Sequence, residues 1–320
     1  MARHSGNVPK LGTYPPVRRW PLQRLRAGVT RTRSAGLGPW LVLPALALLV
    51  VFVARPVVRT VQLSGYASDL IGNPTRYVGL GNYRELLGDP TFARTVFVSL
   101  AIALLGMALA TSVALLAALL LRSRLPGGGL FAVVLSLPFA YSAASASAVF
   151  AGLFAPSVGV LNLLLGRVGV NGPAWLANPV AAVWAIAVST AWYEFGFAFL
   201  VLTAAVGDVA PEIVEAARLD GAGETRLATT VIVPIIRPSI LFLTVTQTIS
   251  GLQTFAQIQV LTRGGPAGAT TNFVYRLYQL AFGNATADFG RASVIAVVLI
   301  VLIAAITFMQ FRVFGRDRTA

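Results

Sequence analysis

Pro211-Glu212-Ile213-Val214-Glu215-Ala216-Ala217-Arg218-Leu219-Asp220-Gly221-Ala222-Gly223-Glu224-Thr225-Arg226, continued by Val231-Ile232-Val233-Pro234-Ile235-Ile236-Arg237-Pro238, is a charged island between two long apolar runs. Counted from Asp208, it holds five of the eleven acidic residues of the chain. Flanked in this way, it has to lie in water at a membrane face. Its local physics predicts two short helices with a bend. Pro211 suits the first helical position, and Glu212 and Glu215 sit near the positive end of that helix. Asp220-Gly221 supplies a stop, because Gly221 is free to take a left-handed backbone. Glu224 favours the start of a second helix, which Pro234 and Pro238 end or redirect into the next span. Ala216 and Ala217 are small neighbours that let another surface approach closely. On these features alone, an ordinary solvated interhelical loop also fits.

Working outward, 56% of the 320 residues are hydrophobic, 11% are charged and none is cysteine. That leaves too little polar material to cover a soluble domain. The expectation is all-α: one polytopic membrane domain with six transmembrane helices. A span needs roughly 20 apolar residues. The runs 40–63, 95–121, 130–154, 179–206, 239–262 and 292–311 supply six, with the charged loop 207–238 between the fourth and fifth. In the first span Arg55 and Arg59 can snorkel towards an interface.

The net charge of +14 sits largely at the N-terminus. Residues 1–38 carry eight Lys or Arg and no acid, interrupted by Pro15, Pro16 and Pro21, which reads as a disordered basic tail. Beside a membrane span such a tail retains the N-terminus in the cytoplasm and touches anionic lipid, so nucleic acid is not needed to explain the charge. It is long for a signal-peptide n-region, and the first span is read as uncleaved. An odd-to-even walk through six spans then puts Arg122, Arg124, the 207–238 loop and the C-terminal residues 316–320 on the cytoplasmic side. The outer segment 64–94 balances Arg76, Arg84 and Arg94 against Asp69, Glu85 and Asp89.

Glu215-Ala216-Ala217, then Asp220-Gly221, then Pro234 resembles the cytoplasmic coupling loop of ABC importer permeases. With Pro211-Glu212 ahead of it, the stretch is similar to the carbohydrate branch, of maltose and glycerol-3-phosphate type. Tyr77-Val78-Gly79-Leu80-Gly81-Asn82-Tyr83 with Asp89-Pro90 resembles the segment after the first span of those permeases. Phe255, Val260-Leu261-Thr262-Arg263-Gly264-Gly265-Pro266, Ala281-Phe282-Gly283 and Asp288-Phe289-Gly290 extend the likeness over residues 39–315. The resemblance implies that Glu215, Ala216, Ala217, Asp220, Gly221 and Pro234 dock into a cleft of an ATPase subunit. It also implies a second permease subunit, a dimer of ATP-binding subunits and an extracytoplasmic solute-binding protein as partners, in a bacterial cytoplasmic membrane.

The chain lacks a G-x-x-x-x-G-K-[ST] phosphate loop, and its one lysine is Lys10 in the tail. ATP and Mg²⁺ are therefore expected on a partner ATPase, with no cofactor on this chain. His4 is the single histidine, so neither a histidine-based metal site nor a catalytic histidine is expected in the spans.

Glu194 stands near the middle of the fourth span, where a carboxylate must face protein or water. With Trp192 and Tyr193 beside it, it offers aromatic faces and polar tips suited to polyhydroxylated ligands. A bond from Glu194 to another span, holding the bundle together, is the competing explanation. In the fifth span Thr244, Gln247, Ser250, Thr254 and Gln257 recur at helical steps, with Gln253 beside them, as one polar stripe. Such groups fit a translocation path for sugar hydroxyls, or act as interhelical glue of about 0.6 kcal/mol each. The functional expectation is a permease subunit of an ATP-driven importer of a sugar or sugar derivative, not an enzyme. An ion-coupled secondary transporter using Glu194 is the alternative. A membrane enzyme with Glu194 as acid or base would lack a second carboxylate or histidine in the spans.

Overall fold

In a computed structural model, residues 38–122, 127–155, 159–283 and 286–314 are described. The basic tail assigned to 1–38 lies outside them apart from Gly38, as do Arg124 and the C-terminal residues 315–320. The chain divides into two compact units, Met1–Ala54 and Arg55–Ala320. In the first, helix α1 (Gly38–Leu49) runs into a π-helical turn, Val50–Ala54, and Val42, Leu46 and Phe52 are exposed.

The second unit begins with α2 (Arg55–Ser64) and a two-stranded antiparallel hairpin, β1 (Tyr66–Ser68) and β2 (Pro74–Tyr77). The short α3 (Gly81–Gly88) leads to α4 (Pro90–Leu121). Asp89 starts α4 as an N-cap: its Oδ1 accepts from the Thr91 backbone N–H at 2.8 Å and from the Thr91 hydroxyl at 2.7 Å, with Pro90 at the first turn. Next come α5 (Gly128–Ser136), a 3₁₀ turn (Leu137–Ala140), α6 (Ala143–Leu153) and α7 (Val160–Arg167). Then α8 (Pro179–Gly207) is capped by Asn178, whose Oδ1 accepts from the N–H groups of Val180 and Ala181.

The charged island forms α9 (Pro211–Leu219) and a second helical run made of α10 (Glu224–Arg226), π-helical residues Leu227–Ile232 and α11 (Val233–Ile235). The chain closes with α12 (Arg237–Leu252), α13 (Ala256–Leu261), α14 (Phe273–Tyr278) and α15 (Phe289–Phe314).

Among the described residues, four helical stretches are long and apolar enough to cross a membrane: Val42–Ser64, Pro90–Leu121, Pro179–Gly207 and Phe289–Val313. Two bent pairs raise the number to six if each is one span. Two of the expected boundaries differ. The stretch 130–154 is not a straight helix, because α5 with its 3₁₀ turn meets α6 at 102°. Pro138, in the 3₁₀ turn, cannot donate to a helical ladder, and Ser142 starts α6 afresh by capping the Ser145 N–H. The stretch 239–262 is likewise broken: α12 ends at Leu252, Gln253 closes its last turn, and α13 begins only at Ala256. The hairpin in the segment 64–94 was not foreseen either.

In this unit α4 lies along α8, α12 packs against α4, and α15 against α2. Small residues line the meeting of α4 and α8: Gly106 of α4 faces Thr190 and the Ala187 carbonyl of α8, and fully buried Ala114 and Ala118 share a cluster with Ala198. Small residues let backbones approach where lipid supplies no hydrophobic drive between helices. Leu116, Phe131, Val301 and Phe308 point outward, as lipid-facing or subunit-facing residues do.

At the end of the bundle remote from α9, polar contacts join the hairpin and α3 to α14 and α15. Asn82 donates to the carbonyls of Ser64 and Tyr66, Gly290 N–H donates to the Ser68 hydroxyl, Arg276 pairs with Asp89 at 2.9 Å, and Arg291 pairs with Glu85.

Candidate functional site

Two places carry the sequence-derived candidates, one at each level of α8. The first is the surface of α9. Its end is a complete Schellman cap: Ala222 N–H donates to the Ala217 carbonyl and Gly221 N–H to the Arg218 carbonyl, each at 3.0 Å. Gly221 has φ +81°, the left-handed value the motif requires. Glu215, Ala216, Asp220, Gly221 and Pro234 are exposed and Ala217 is half-buried. Leu219 is 89% exposed, a large apolar side chain left uncovered by the described residues.

The opposite face of α9 is anchored. Val214 is buried in one cluster with Val209, Leu227 and Ile232, together with Ala114 and Ala118 of α4 and Phe199 and Leu202 of α8. Ile236 and Leu243 extend this cluster into α12. One face of α9 is therefore packed, through this cluster, against three long helices. The second helical run meets α12 at a 71° bend, at Ile236 between Pro234 and Pro238. The two helices, the stop at Gly221 and the proline redirection lie where the sequence put them. Arg218 pairs with Glu224 at 2.7 Å, both exposed, a contact of small energetic weight.

The second place is a cavity of about 240 Å³ beside the middle of α8. Tyr193, Glu194 and Phe197 line it from α8, and Thr246, Gln247 and Ser250 from α12. Phe139 of the 3₁₀ turn closes another side. Gly196 makes this possible, since a Cβ there would fall 2.4 Å from the Phe139 backbone nitrogen. Phe139 and Phe197 stack with centroids 5.8 Å apart.

Glu194 is 6% exposed, with both carboxylate oxygens buried and the Ser250 side chain of α12 beside them. Other atoms link the helices as well. Gln247 donates to the Glu194 backbone carbonyl at 3.4 Å, and its Oε1 accepts from Thr111 of α4 at 2.6 Å. An acidic side chain at mid-span costs about 3 kcal/mol on insertion scales.

The remaining candidates separate. Trp192 packs against Phe150 and Tyr141, with ring centroids 5.6 and 5.9 Å away, and does not line the cavity. The expected single polar stripe is divided by the break after Leu252. Gln253 is exposed at that break, the Thr254 carbonyl accepts from Asn272 at 2.6 Å, and buried Gln257 belongs to α13. Thr244 bonds its own helix through the Ile240 carbonyl, and its carbonyl accepts from Gln310 of α15. Of the stripe, Gln247 and Ser250 meet Glu194. Sequence reading missed Phe139, Phe197, Thr246 and Thr111. Thr111 is a polar residue in an apolar run, a signal that was available; Phe139 is placed only by the bend at Pro138.

Residues 124–317 match the family model described as a binding-protein-dependent transport system inner membrane component. The trehalose/maltose transport system permease protein MalF of Thermococcus litoralis is 30% identical over 289 residues, covering 89% of this chain and 96% of that protein. The sn-glycerol-3-phosphate transport system permease protein UgpA of Brucella abortus is 32% identical over 276 residues, covering 85% and 92%. Among solved structures, a chain of the bacterial alginate ABC transporter in complex with alginate pentasaccharide-bound periplasmic protein superposes with a TM-score of 0.77. That superposition covers 91% of this chain and 99% of the other at 21% identity, a likeness of fold. By its sequence and its helical architecture, the chain belongs to the family of binding-protein-dependent transport system inner membrane components.

Proposed function

We propose that this chain is a permease subunit of an ATP-driven importer for a sugar or sugar derivative. The observation that carries the reading is α9: an exposed Glu215-Ala216 face and a glycine stop on one side, and Val214 packed into the α4–α8–α12 cluster on the other. Such a helix is built to take up a movement from outside and hand it to the spans. The relatives support the solute class, since their names specify trehalose/maltose and sn-glycerol-3-phosphate. The alginate transporter, described with a sugar-loaded periplasmic protein, supports delivery by such a protein.

In this reading a second permease subunit completes the pore, and a dimer of ATP-binding subunits holds ATP and Mg²⁺ and docks on Glu215, Ala216, Ala217, Asp220, Gly221 and Pro234. ATP-driven closure of those subunits pulls the α9 loops together and turns the cavity beside Glu194 outward. A solute-binding protein delivers substrate at the end bearing the hairpin. This chain performs no covalent chemistry itself. Both termini lie on the cytoplasmic side of the inner membrane.

The buried Glu194 carboxylate favours one second reading, an ion-coupled carrier in which that side chain takes the ion. Proteoliposomes containing the purified complex separate the two. Uptake driven by ATP with no ion gradient is the expected result. Uptake that follows an imposed proton or sodium gradient and ignores ATP would replace the importer reading with the carrier.

A further inference from the structure

Helix α2 carries one polar face: Arg55, Arg59 and Gln62 follow at i, i+4 and i+7, while Val57, Val58 and Val61 on the rest of its surface are exposed. Arg59 and Gln62 line a half-open cavity of about 730 Å³ between the end of α2 and the hairpin, with Tyr66, Tyr77 and Tyr83 around it. Backbone and ring contacts build its wall. The Gly65 carbonyl accepts from the Val78 and Gly79 N–H groups at 2.8 and 3.1 Å, and the Tyr83 and Ser64 hydroxyls share a 2.8 Å bond. The Tyr66 and Tyr77 rings meet edge to face with centroids 5.4 Å apart. Gly65 leaves room for Tyr77, since a Cβ there would lie 3.1 Å from its ring.

Among the described residues no Asp or Glu lines the cavity, and none hydrogen-bonds to the Arg59, Gln62 or Tyr77 side chains. The cavity thus offers an uncompensated guanidinium, whose planar fork matches a phosphate, with an amide and a phenol as further donors. Its depth is that of a membrane boundary. From Arg59 to Ser64, the helix end, is about 7.5 Å at 1.5 Å per residue, comparable with the roughly 5–8 Å of one headgroup layer. Arginine and tyrosine are the side chains that settle at that level, with apolar bodies inward and polar tips outward.

We propose that this cavity is a binding site for an anionic phospholipid of the outer leaflet. Arg59 pairs with the phosphate, Gln62 and Tyr77 donate to its remaining oxygens and to headgroup hydroxyls, and the acyl chains run down the exposed Val57, Val58 and Val61. A headgroup amine would add a second positive charge beside Arg59 with no carboxylate to meet it, so phosphatidylglycerol is preferred to phosphatidylethanolamine. The choice of leaflet rests on the permease reading above, with α9 in the cytoplasm; the affinity does not.

The test is native mass spectrometry of the detergent-purified complex, titrated with phosphatidylglycerol, phosphatidylethanolamine or inorganic phosphate. Wild type is expected to hold phosphatidylglycerol roughly tenfold more tightly than Arg59→Gln, the scale of one charge-assisted hydrogen bond. It should also prefer phosphatidylglycerol to phosphatidylethanolamine and keep it against excess inorganic phosphate. Tyr77→Phe, which removes one neutral donor, should weaken it about fivefold. Equal affinity of wild type and Arg59→Gln for phosphatidylglycerol, or phosphatidylethanolamine held as tightly, overturns the proposal. Displacement by inorganic phosphate would make this a site for a free anion and overturns the lipid assignment. Arg59→Gln that keeps the lipid but loses the second permease would make the cavity a subunit contact, which also overturns it. If Arg59→Gln does not assemble, Tyr77→Phe carries the test, and wild-type affinity in that variant overturns the proposal. Labelling that places α9 outside would strike the orientation in the permease reading and leave these affinities unchanged.

Discussion

The Thr111 hydroxyl donates a 2.6 Å hydrogen bond to Gln247 Oε1, fixing the amide so that its Nε2 faces the Glu194 carbonyl at 3.4 Å. One polar pair thereby ties α4, α8 and α12 together at the level of the cavity.

Removing one member of the pair should cost more than removing both. Thr111→Val leaves the buried Gln247 Oε1 without a donor, and about 0.6–1.7 kcal/mol is the range such bonds show in membrane helices. Thr111→Val with Gln247→Leu replaces both by apolar groups and should recover part of the loss. Thermal melting of the detergent-solubilised complex reads the difference. Equal melting temperatures for wild type and Thr111→Val would mean that the bond does not hold the helices.

Asp89 should make the hairpin end of the bundle acid-sensitive. The Thr91 hydroxyl first, then the Thr91 N–H and the Arg276 guanidinium, hold its carboxyl below the usual carboxylate range. A depressed folded pKa means stability present above the unfolded value of about 3.9 and lost as pH falls through the folded one. Asp89→Asn keeps a capping side chain and loses the ion pair. Wild type should be the more stable at pH 7, and the gap should close below about pH 4. A gap that does not change with pH would remove the ion pair from the explanation.

Gly196→Ala should disturb the cavity wall. The added Cβ would meet the Phe139 backbone nitrogen, so the 3₁₀ turn has to shift, at a cost of about 1–3 kcal/mol for an overpacked site. The measurement is thermal stability of the detergent-solubilised complex. An unchanged melting temperature would show that the turn has room to move.

Cysteine labelling tests the orientation, because the native chain contains no cysteine. Thr225, in α10, and Ala267, at the opposite end, are both exposed. In intact cells Thr225→Cys should react only with membrane-permeant reagents and Ala267→Cys with impermeant ones. The reverse pattern would turn the bundle over.

Local rules carried the sequence a long way at α9. A proline start, an Asx-Gly stop and a paired-proline bend are each decided within a few residues, so Pro211, Gly221 and Pro234 could be read directly. The same holds for α4 and α8, whose apolar lengths and caps are continuous in sequence. Where the outcome is set by contacts far apart, the reading went astray. A helix running from 239 to 262 has no proline or glycine pair to announce its break. The chain leaves the helix at Gln253 because Asn272 takes the Thr254 carbonyl and buried Phe273 packs with Leu252. The stripe therefore splits, and Gln257 parts from Glu194. Trp192 beside Glu194 looked like one aromatic site, but successive helical residues point about 100° apart, and Trp192 turns to Phe150.

The central claim is that α9 couples ATP hydrolysis to the spans, and substrate-stimulated ATPase activity of the reconstituted complex tests it most directly. Gly221→Pro cannot take φ +81° or donate to Arg218, Gly221→Asn can do both, and Glu215→Lys reverses the charge of an exposed residue. The account expects Gly221→Pro and Glu215→Lys to insert and melt like wild type yet lose stimulated hydrolysis or the ATP-binding subunits, with Gly221→Asn largely active. Wild-type stimulation and transport in both Gly221→Pro and Glu215→Lys would contradict it.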